Sequence, residues 1–375
     1  MKTLIQFVFL VIIISSCTKK ETKTFSIRGT ITPATVDYLI LQQETDVERK
    51  ISTIIDTIKV SPNGKFEASY NEVPYLYALV LPNKKKIDLA IDANQNLVVD
   101  IQNNDKGFSS TIQGSQDTSE LLKYEQFRTN SLNRLVVSVR DEIKDLKKAD
   151  IVDSKKIAEL GQLELTNYDK HLDELNSFIK NNMSATLGLY ATSLRWKGAK
   201  NLAFFDSLAI NFEKQHPNLE ISKKIREKVT RLFQTEIGGQ AADIQLPNAE
   251  GTQTTLASLK SKFILVDFWA SWCGPCRRES AGLNAIYAAY SRDQFDIFGV
   301  SLDDKRQKWI DAIQKDNRIW TNVSSLERFK TPAAYDYAVT ALPDNYLIDS
   351  NRKIIAKNIH GEALDTLIKE LLCNE

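Results

Sequence analysis

Residues 263–276 read Phe263-Ile264-Leu265-Val266-Asp267-Phe268-Trp269-Ala270-Ser271-Trp272-Cys273-Gly274-Pro275-Cys276. The first seven are apolar apart from one acid and show no alternation, the pattern of a strand covered on both faces in an α/β sheet. The run stops at Cys273-Gly274-Pro275-Cys276, and an amphipathic stretch follows. Proline suits the first turn of a helix, where its missing N–H has no partner to lose. The order is therefore strand, Cys-Gly-Pro-Cys, helix, with Cys273 at the helix N-terminus. Unpaired N–H groups and the helix dipole favour a thiolate there, which makes Cys273 the nucleophile. Cys276 lies one helical turn on, close enough to resolve a mixed disulfide. The same spacing supplies half a zinc site, for which Cys373, His360 and Cys17 are the remaining ligands. The strand–helix context favours redox chemistry, and no metal is expected.

Downstream, a second strand is expected over 295–302 and a hairpin over 346–348 and 354–357. An amphipathic helix over 362–372 ends the domain. Upstream, Gly238-Gly239 reads as the glycine stop of a preceding helix, which starts the α/β domain at 238. In residues 116–237 Leu, Ile, Phe and Tyr recur at three and four, with breaks near 149–153, 181–184, 197–201 and 215–218. Four or five helices are expected, the first two forming an antiparallel hairpin. Residues 25–112 hold seven short apolar or alternating runs, and Ser61-Pro62-Asn63-Gly64 is a hairpin signal. Residues 17–115 are therefore expected to form a small antiparallel sandwich or barrel. Neither upstream region carries a catalytic constellation. His171 and His216 read as surface or partly packed, and Lys84-Lys85-Lys86 as a solvated turn.

Composition excludes several classes. The 375 residues are 42% apolar and 26% charged, with 14 Gly and 9 Pro, which is ordinary globular protein. Lys and Arg number 49 against 48 Asp and Glu; by region the counts are 12 against 12 (17–115), 20 against 18 (116–237) and 16 against 18 (238–375). No region has the basic excess of a nucleic-acid binder, so nucleic acid is not an expected partner. Four Cys do not make a disulfide scaffold.

Residues 1–16 read as a signal peptide, with Lys2 followed by eleven mainly apolar residues, too few to span a bilayer core. Ile14-Ser15-Ser16-Cys17 resembles the lipobox of bacterial lipoproteins, which implies cleavage before Cys17 and lipid on its sulfur.

The segment from Val266 to Glu279, ending Cys276-Arg277-Arg278-Glu279, resembles the active site of the thioredoxin superfamily. More narrowly, it is similar to the TlpA/ResA/CcmG-like thiol–disulfide oxidoreductases of the bacterial envelope. The resemblance covers about 238–375 and includes Leu256-Ala257-Ser258-Leu259 and Ala341-Leu342-Pro343. It implies a thioredoxin fold, a redox-active Cys273–Cys276 disulfide and a cis Pro343 facing the pair. Asp267 matches the buried acid of thioredoxins, and Glu279 a glutamate beside the dithiol in many relatives; both imply proton transfer. Trp272, Gly274, Pro275 and Leu342 are the expected substrate contacts. Arg277 and Arg278 are placed on the solvated face, Asp303-Asp304 in a solvated loop, and Cys373 as a partly buried, unreactive thiol. Two departures, Ala281 for a usual Pro and Ser261-Lys262 for a usual Gly-Lys, leave the dithiol untouched. A peroxiredoxin is disfavoured, because Ala270 stands where that family carries Thr.

The expected protein is thus a periplasm-facing lipoprotein anchored through Cys17, with a β-rich domain, a helical segment and a thioredoxin-like domain. It would exchange disulfides with cysteine-containing envelope proteins, apocytochrome c among the candidates, and draw electrons from an upstream donor as a reductase. No organic cofactor is required, since the dithiol carries two electrons. The alternative is an envelope binding or assembly module in which the dithiol is secondary.

Overall fold

The computed structural model describes residues 25–104, 107–149, 152–196 and 201–373; Cys17 and the signal segment lie outside the described residues. Eight strands come first: β1 (Phe25–Thr32), β2 (Tyr38–Asp46), β3 (Ile51–Lys59), β4 (Lys65–Tyr70), β5 (Tyr75–Val80), β6 (Lys86–Ile91), β7 (Asn96–Asn104) and β8 (Gly107–Gln113). They form two four-stranded sheets, in the orders β4-β1-β7-β8 and β3-β2-β5-β6. All ladders are antiparallel except β1–β7, which is parallel, so the expected all-antiparallel pairing needs correcting at that pair. Strands this far apart in sequence are joined by a long crossover and not by a hairpin, which leaves their relative direction open.

The helical segment begins at α1 (Gln116–Leu132), capped by Ser115, whose Oγ accepts from Thr118 N–H at 3.1 Å. It runs through one π-turn at residues 133–137 into α2 (Ser138–Leu146). Next come α3 (Ser154–Asn182), α4 (Leu189–Thr192), α5 (Leu202–Gln215) and α6 (Glu220–Gln234). Helix α1 is stitched to β6 by Ser115 and Thr118, whose hydroxyls both donate to the Ala90 carbonyl at 2.8 Å. Apolar residues from β1 to α6, among them Tyr77, Leu121, Ile179, Phe212 and Ile225, form one continuous core. The β-rich and helical parts are therefore packed as one body.

The C-terminal part contains β9 (Gln245–Pro247), β10 (Gln253–Thr255), β11 (Phe263–Trp269), α7 (Gly274–Ala289), β12 (Phe295–Ser301) and α8 (Arg306–Lys315). It continues through β13 (Thr321–Val323), α9 (Pro332–Asp336), β14 (Asp344–Asp349), β15 (Ile354–Lys357) and α10 (Gly361–Cys373). The main sheet has the order β13-β12-β11-β14-β15, with β11 parallel to β12 and antiparallel to β14. This is the thioredoxin fold that the resemblance implies. All seven residues of β11 are buried. Ile264, Val266 and Phe268 face one core, and Phe263 and Leu265 face α7 and α10 on the other side. Alternation puts Asp267 on that second face, toward α7. The edge strand β13 has no counterpart in the sequence reading, because three residues are too few to show a period.

Gly238 does not stop α6, which ends at Gln234 with Thr235 as its cap. Instead, at φ +91°, Gly238 donates to the Ile354 carbonyl at 2.7 Å and ties the linker to β15.

Candidate active site

The two cysteines are joined as a disulfide, with their Cα atoms 5.4 Å apart. Cys273 is the N-cap of α7; its Sγ accepts from Cys276 N–H at 3.2 Å, and Pro275 occupies the first turn. The turn before it is held from below by Asp303. Its carboxylate accepts from Ser271 N–H at 2.9 Å, Ser271 Oγ at 2.5 Å and Ser301 Oγ at 2.8 Å. Asp303 is 1% exposed, so the expected solvated loop is corrected at this residue. Parallel neighbours end at the same edge of a sheet, which brings the residue after β12 beneath the turn after β11. Asp304 does face solvent and pairs with Arg328 at 2.8 Å. Arg277 is no free surface cation either: it pairs with Asp316 and donates to the Ser271 carbonyl at 3.1 Å. Arg278 turns toward α3, 3.6 Å from Glu164.

Behind the disulfide sit two acid–base pairs. Asp267 is buried, and it is not isolated: Arg318 Nη1 donates to its Oδ2 at 2.8 Å, with both side chains at most 3% exposed. The same guanidinium donates to the Cys276 carbonyl at 3.1 Å and to Ser280 Oγ at 3.0 Å, and lies 4.0 Å over the ring of Trp269. Burial pushes the Asp267 carboxyl above its ordinary range; Arg318 pulls it back, and Glu279 adds to the rise. Arg318 enters from the segment between α8 and β13, and no local pattern in Asn317-Arg318-Ile319 signals it. The second pair is Glu279, in the second turn of α7, with His360 Nδ1 at 2.7 Å. Burial opposes a charge on His360, but the hydrogen bond and charge of Glu279, with Asp267 and Asp344 beyond, lift its pKa above the usual imidazole value. Sequence reading considered His360 only as a zinc ligand; it lies here because the turn between β15 and α10 reaches the N-terminal half of α7.

The Leu342–Pro343 peptide is cis. Leu342 and Pro343 line a cleft of about 1160 Å³ together with Trp272, Cys273, Gly274 and Pro275, whereas Cys276 is not in its lining. Trp272 is 47% exposed, its ring 6.2 Å from that of Phe329. Two other expectations are corrected. Cys373 is exposed, because it ends α10 on the outer turn. His171 is buried, its Nδ1 2.8 Å from Ser131 Oγ, and burial, reinforced by Arg195 and Arg128, lowers its pKa to about 4.

Two parts of the chain match known families. Residues 237–357 match the AhpC/TSA family, and residues 25–121 match a domain of unknown function designated DUF4369. The thiol–disulfide oxidoreductase ResA of Bacillus thuringiensis subsp. konkukian is 28% identical over 151 residues, 38% of this chain and 80% of that protein. The thioredoxin-like protein YneN of Bacillus subtilis is 30% identical over 125 residues, 33% of this chain and 70% of that protein. A solved thiol–disulfide oxidoreductase from Bacteroides fragilis shares 35% identity, covering 35% of this chain and 98% of the other at a TM-score of 0.33. The likeness to YneN, carried across 70% of that protein, places the chain among the thioredoxin-like thiol–disulfide oxidoreductases, with ResA proteins among its homologues.

Proposed function

We propose that this oxidoreductase works as a protein-disulfide reductase of the cell envelope, with Cys273 as the nucleophile and Cys276 as the resolving thiol. The observation that carries the assignment is that Cys273 opens to the cleft while Cys276 lies behind it. In the reduced enzyme the Cys273 thiolate attacks one sulfur of a substrate disulfide. An S–S bond forms between enzyme and substrate, and the other substrate sulfur leaves as a thiolate that takes up a proton. Cys276, deprotonated toward Asp267 or Glu279, then attacks Cys273. The enzyme disulfide closes, the second substrate sulfur leaves, and the substrate has gained two electrons and two protons. An upstream dithiol donor returns the enzyme to its reduced form. Burial raises the Asp267 carboxyl, which makes it a better acceptor for the Cys276 proton in the second step.

Trp272, Gly274, Pro275, Leu342 and Pro343 frame Cys273 and are the proposed substrate contacts. The lipobox-like Cys17 supports anchoring by lipid on the periplasmic side, with cysteine-containing envelope proteins, apocytochrome c among them, as substrates. Among the described residues no helix is long and apolar enough to cross a membrane. The test is trapping: Cys276→Ser leaves an attacking thiol that cannot complete turnover, so mixed disulfides on Cys273 accumulate. Cys273→Ser traps nothing and loses the exchange activity. Equal trapping by the two variants would falsify the assignment.

A further inference from the structure

The cleft in front of Cys273 has two walls, and only one belongs to the thioredoxin fold. Facing Trp272 and the 341–343 loop are Leu132 of α1 and Leu165, Tyr168 and Asp169 of α3. The helical wall is fixed by pairs that cross the boundary. Glu164 of α3, 5% exposed, accepts from Arg140 of α2 at 2.7 Å and lies 3.6 Å from Arg278 of α7. Helix α3 comes so near that a Cβ added at Gly161 would sit 3.3 Å from the Arg278 guanidinium. Farther from the dithiol, Arg231 of α6 pairs with Glu48 of the β2–β3 turn and donates to Tyr335 Oη at 2.6 Å. Lys228 joins Glu48 at 2.6 Å, and Glu236 meets Lys357 at 2.7 Å. Charges buried across all three parts favour one relative arrangement, since any other leaves some of them unpaired.

The slot that results is large and nearly neutral. Its volume of about 1160 Å³ lies above the roughly 300–1,000 Å³ of small-molecule pockets. Several of its charges are already matched, Arg140 and Arg278 by Glu164 and Arg128 by Glu125 at 2.6 Å. Its lining holds five cations, Lys50, Arg128, Arg140, Arg195 and Arg278, against four carboxylates, Glu48, Glu164, Asp169 and Asp173, so the net charge is small. Leu132, Leu165, Tyr168, Trp272, Phe329 and Leu342 offer apolar surface along its length. Two walls also keep a globular surface away from Cys273.

We propose that this slot binds an extended, unfolded, cysteine-bearing polypeptide segment, and that α3 supplies the wall that selects it over small thiols and folded proteins. The proposal rests on the Cys273-dependent exchange proposed above. It assigns the helical segment a place in the substrate site and not merely the role of a spacer.

The full chain is assayed against oxidised glutathione and against a short unstructured peptide closed by one disulfide. Leu165→Arg and Tyr168→Ala should each lower the ratio of kcat/KM for the peptide to kcat/KM for oxidised glutathione by about tenfold. Both rates come from one preparation, so partial misfolding cancels in the ratio. As a measurement free of wall variants, Cys276→Ser is loaded with the peptide as a mixed disulfide on Cys273. Hydroxyl-radical footprinting should then find Tyr168 and Leu165 more protected than in the glutathione-loaded protein. Ratios at the wild-type value in both variants, or equal protection by peptide and glutathione, overturn the proposal. A wild-type enzyme that shows no Cys273-dependent exchange with either disulfide instead sinks the exchange reading beneath it.

Discussion

Asp267 and Arg318 depend on each other. From sequence, an isolated buried acid is a liability whose removal keeps or raises stability. With Arg318 1% exposed beside it, Asp267→Ala instead leaves a buried guanidinium without its carboxylate, at a cost of about 3–5 kcal/mol. Urea unfolding should show the lowered midpoint, and the double variant Asp267→Leu/Arg318→Met should recover much of it. Asp267→Asn keeps an acceptor for Arg318 and should lose less stability while still slowing exchange near neutral pH; wild-type rates in that variant would remove Asp267 from the proton path. His360 makes a pH-dependent contribution. Its folded pKa is raised, so the pair with Glu279 stabilises fully below the unfolded imidazole value of about 6.5 and is lost as pH rises through the folded value. Melting temperatures at pH 6 and pH 8 should therefore differ less in His360→Gln than in wild type. An undiminished difference would assign the slope to another group.

The turn from β11 into α7 is built from two strand ends. β11 delivers Ser271, and the end of β12 delivers Asp303 to hold it. Asp303→Ala removes the acceptor from buried donors, which costs about 1–3 kcal/mol. It should also slow exchange, because the turn that presents Cys273 loosens; reduction of a short unstructured disulfide peptide by a variant with intact secondary structure reads this. If the rate stays at wild type, the turn is held by α7 and Arg277 alone. That this aspartate, and not its neighbour Asp304, carries the turn follows from burial, which two adjacent acids do not advertise.

On the largest scale the chain has two cooperative bodies. The core running from Phe25 to Leu232 unites sandwich and helices and takes in one residue of the C-terminal part, Ala338, whereas three further clusters lie wholly within residues 241–372. Calorimetry should resolve two transitions and not three. A fragment starting at Gly238 retains those three clusters and the whole redox apparatus. It should fold, catalyse dithiothreitol-driven insulin reduction and lose that activity on Cys273→Ser. A fragment that folds yet reduces insulin no faster than dithiothreitol alone would shift the activity's origin to the upstream body.

Local sequence was enough for the strand–Cys-Gly-Pro-Cys–helix unit, seven of the eight upstream strands and the helical middle, because period, proline and glycine act over a few residues. It also pointed to Cys273 and Cys276 by their place at the helix start, whereas Asp267 and Glu279 were expected from the resemblance and meet Arg318 and His360 only in the fold. Arg318, His360, Asp303 and Glu164 reach the site from four other elements and carry no pattern of their own. The parallel β1–β7 ladder and the second wall of the cleft are likewise matters of tertiary packing. Which charges meet in a buried space depends on how sheet edges and helix ends converge, and that is settled by the core as a body and not by any stretch of chain.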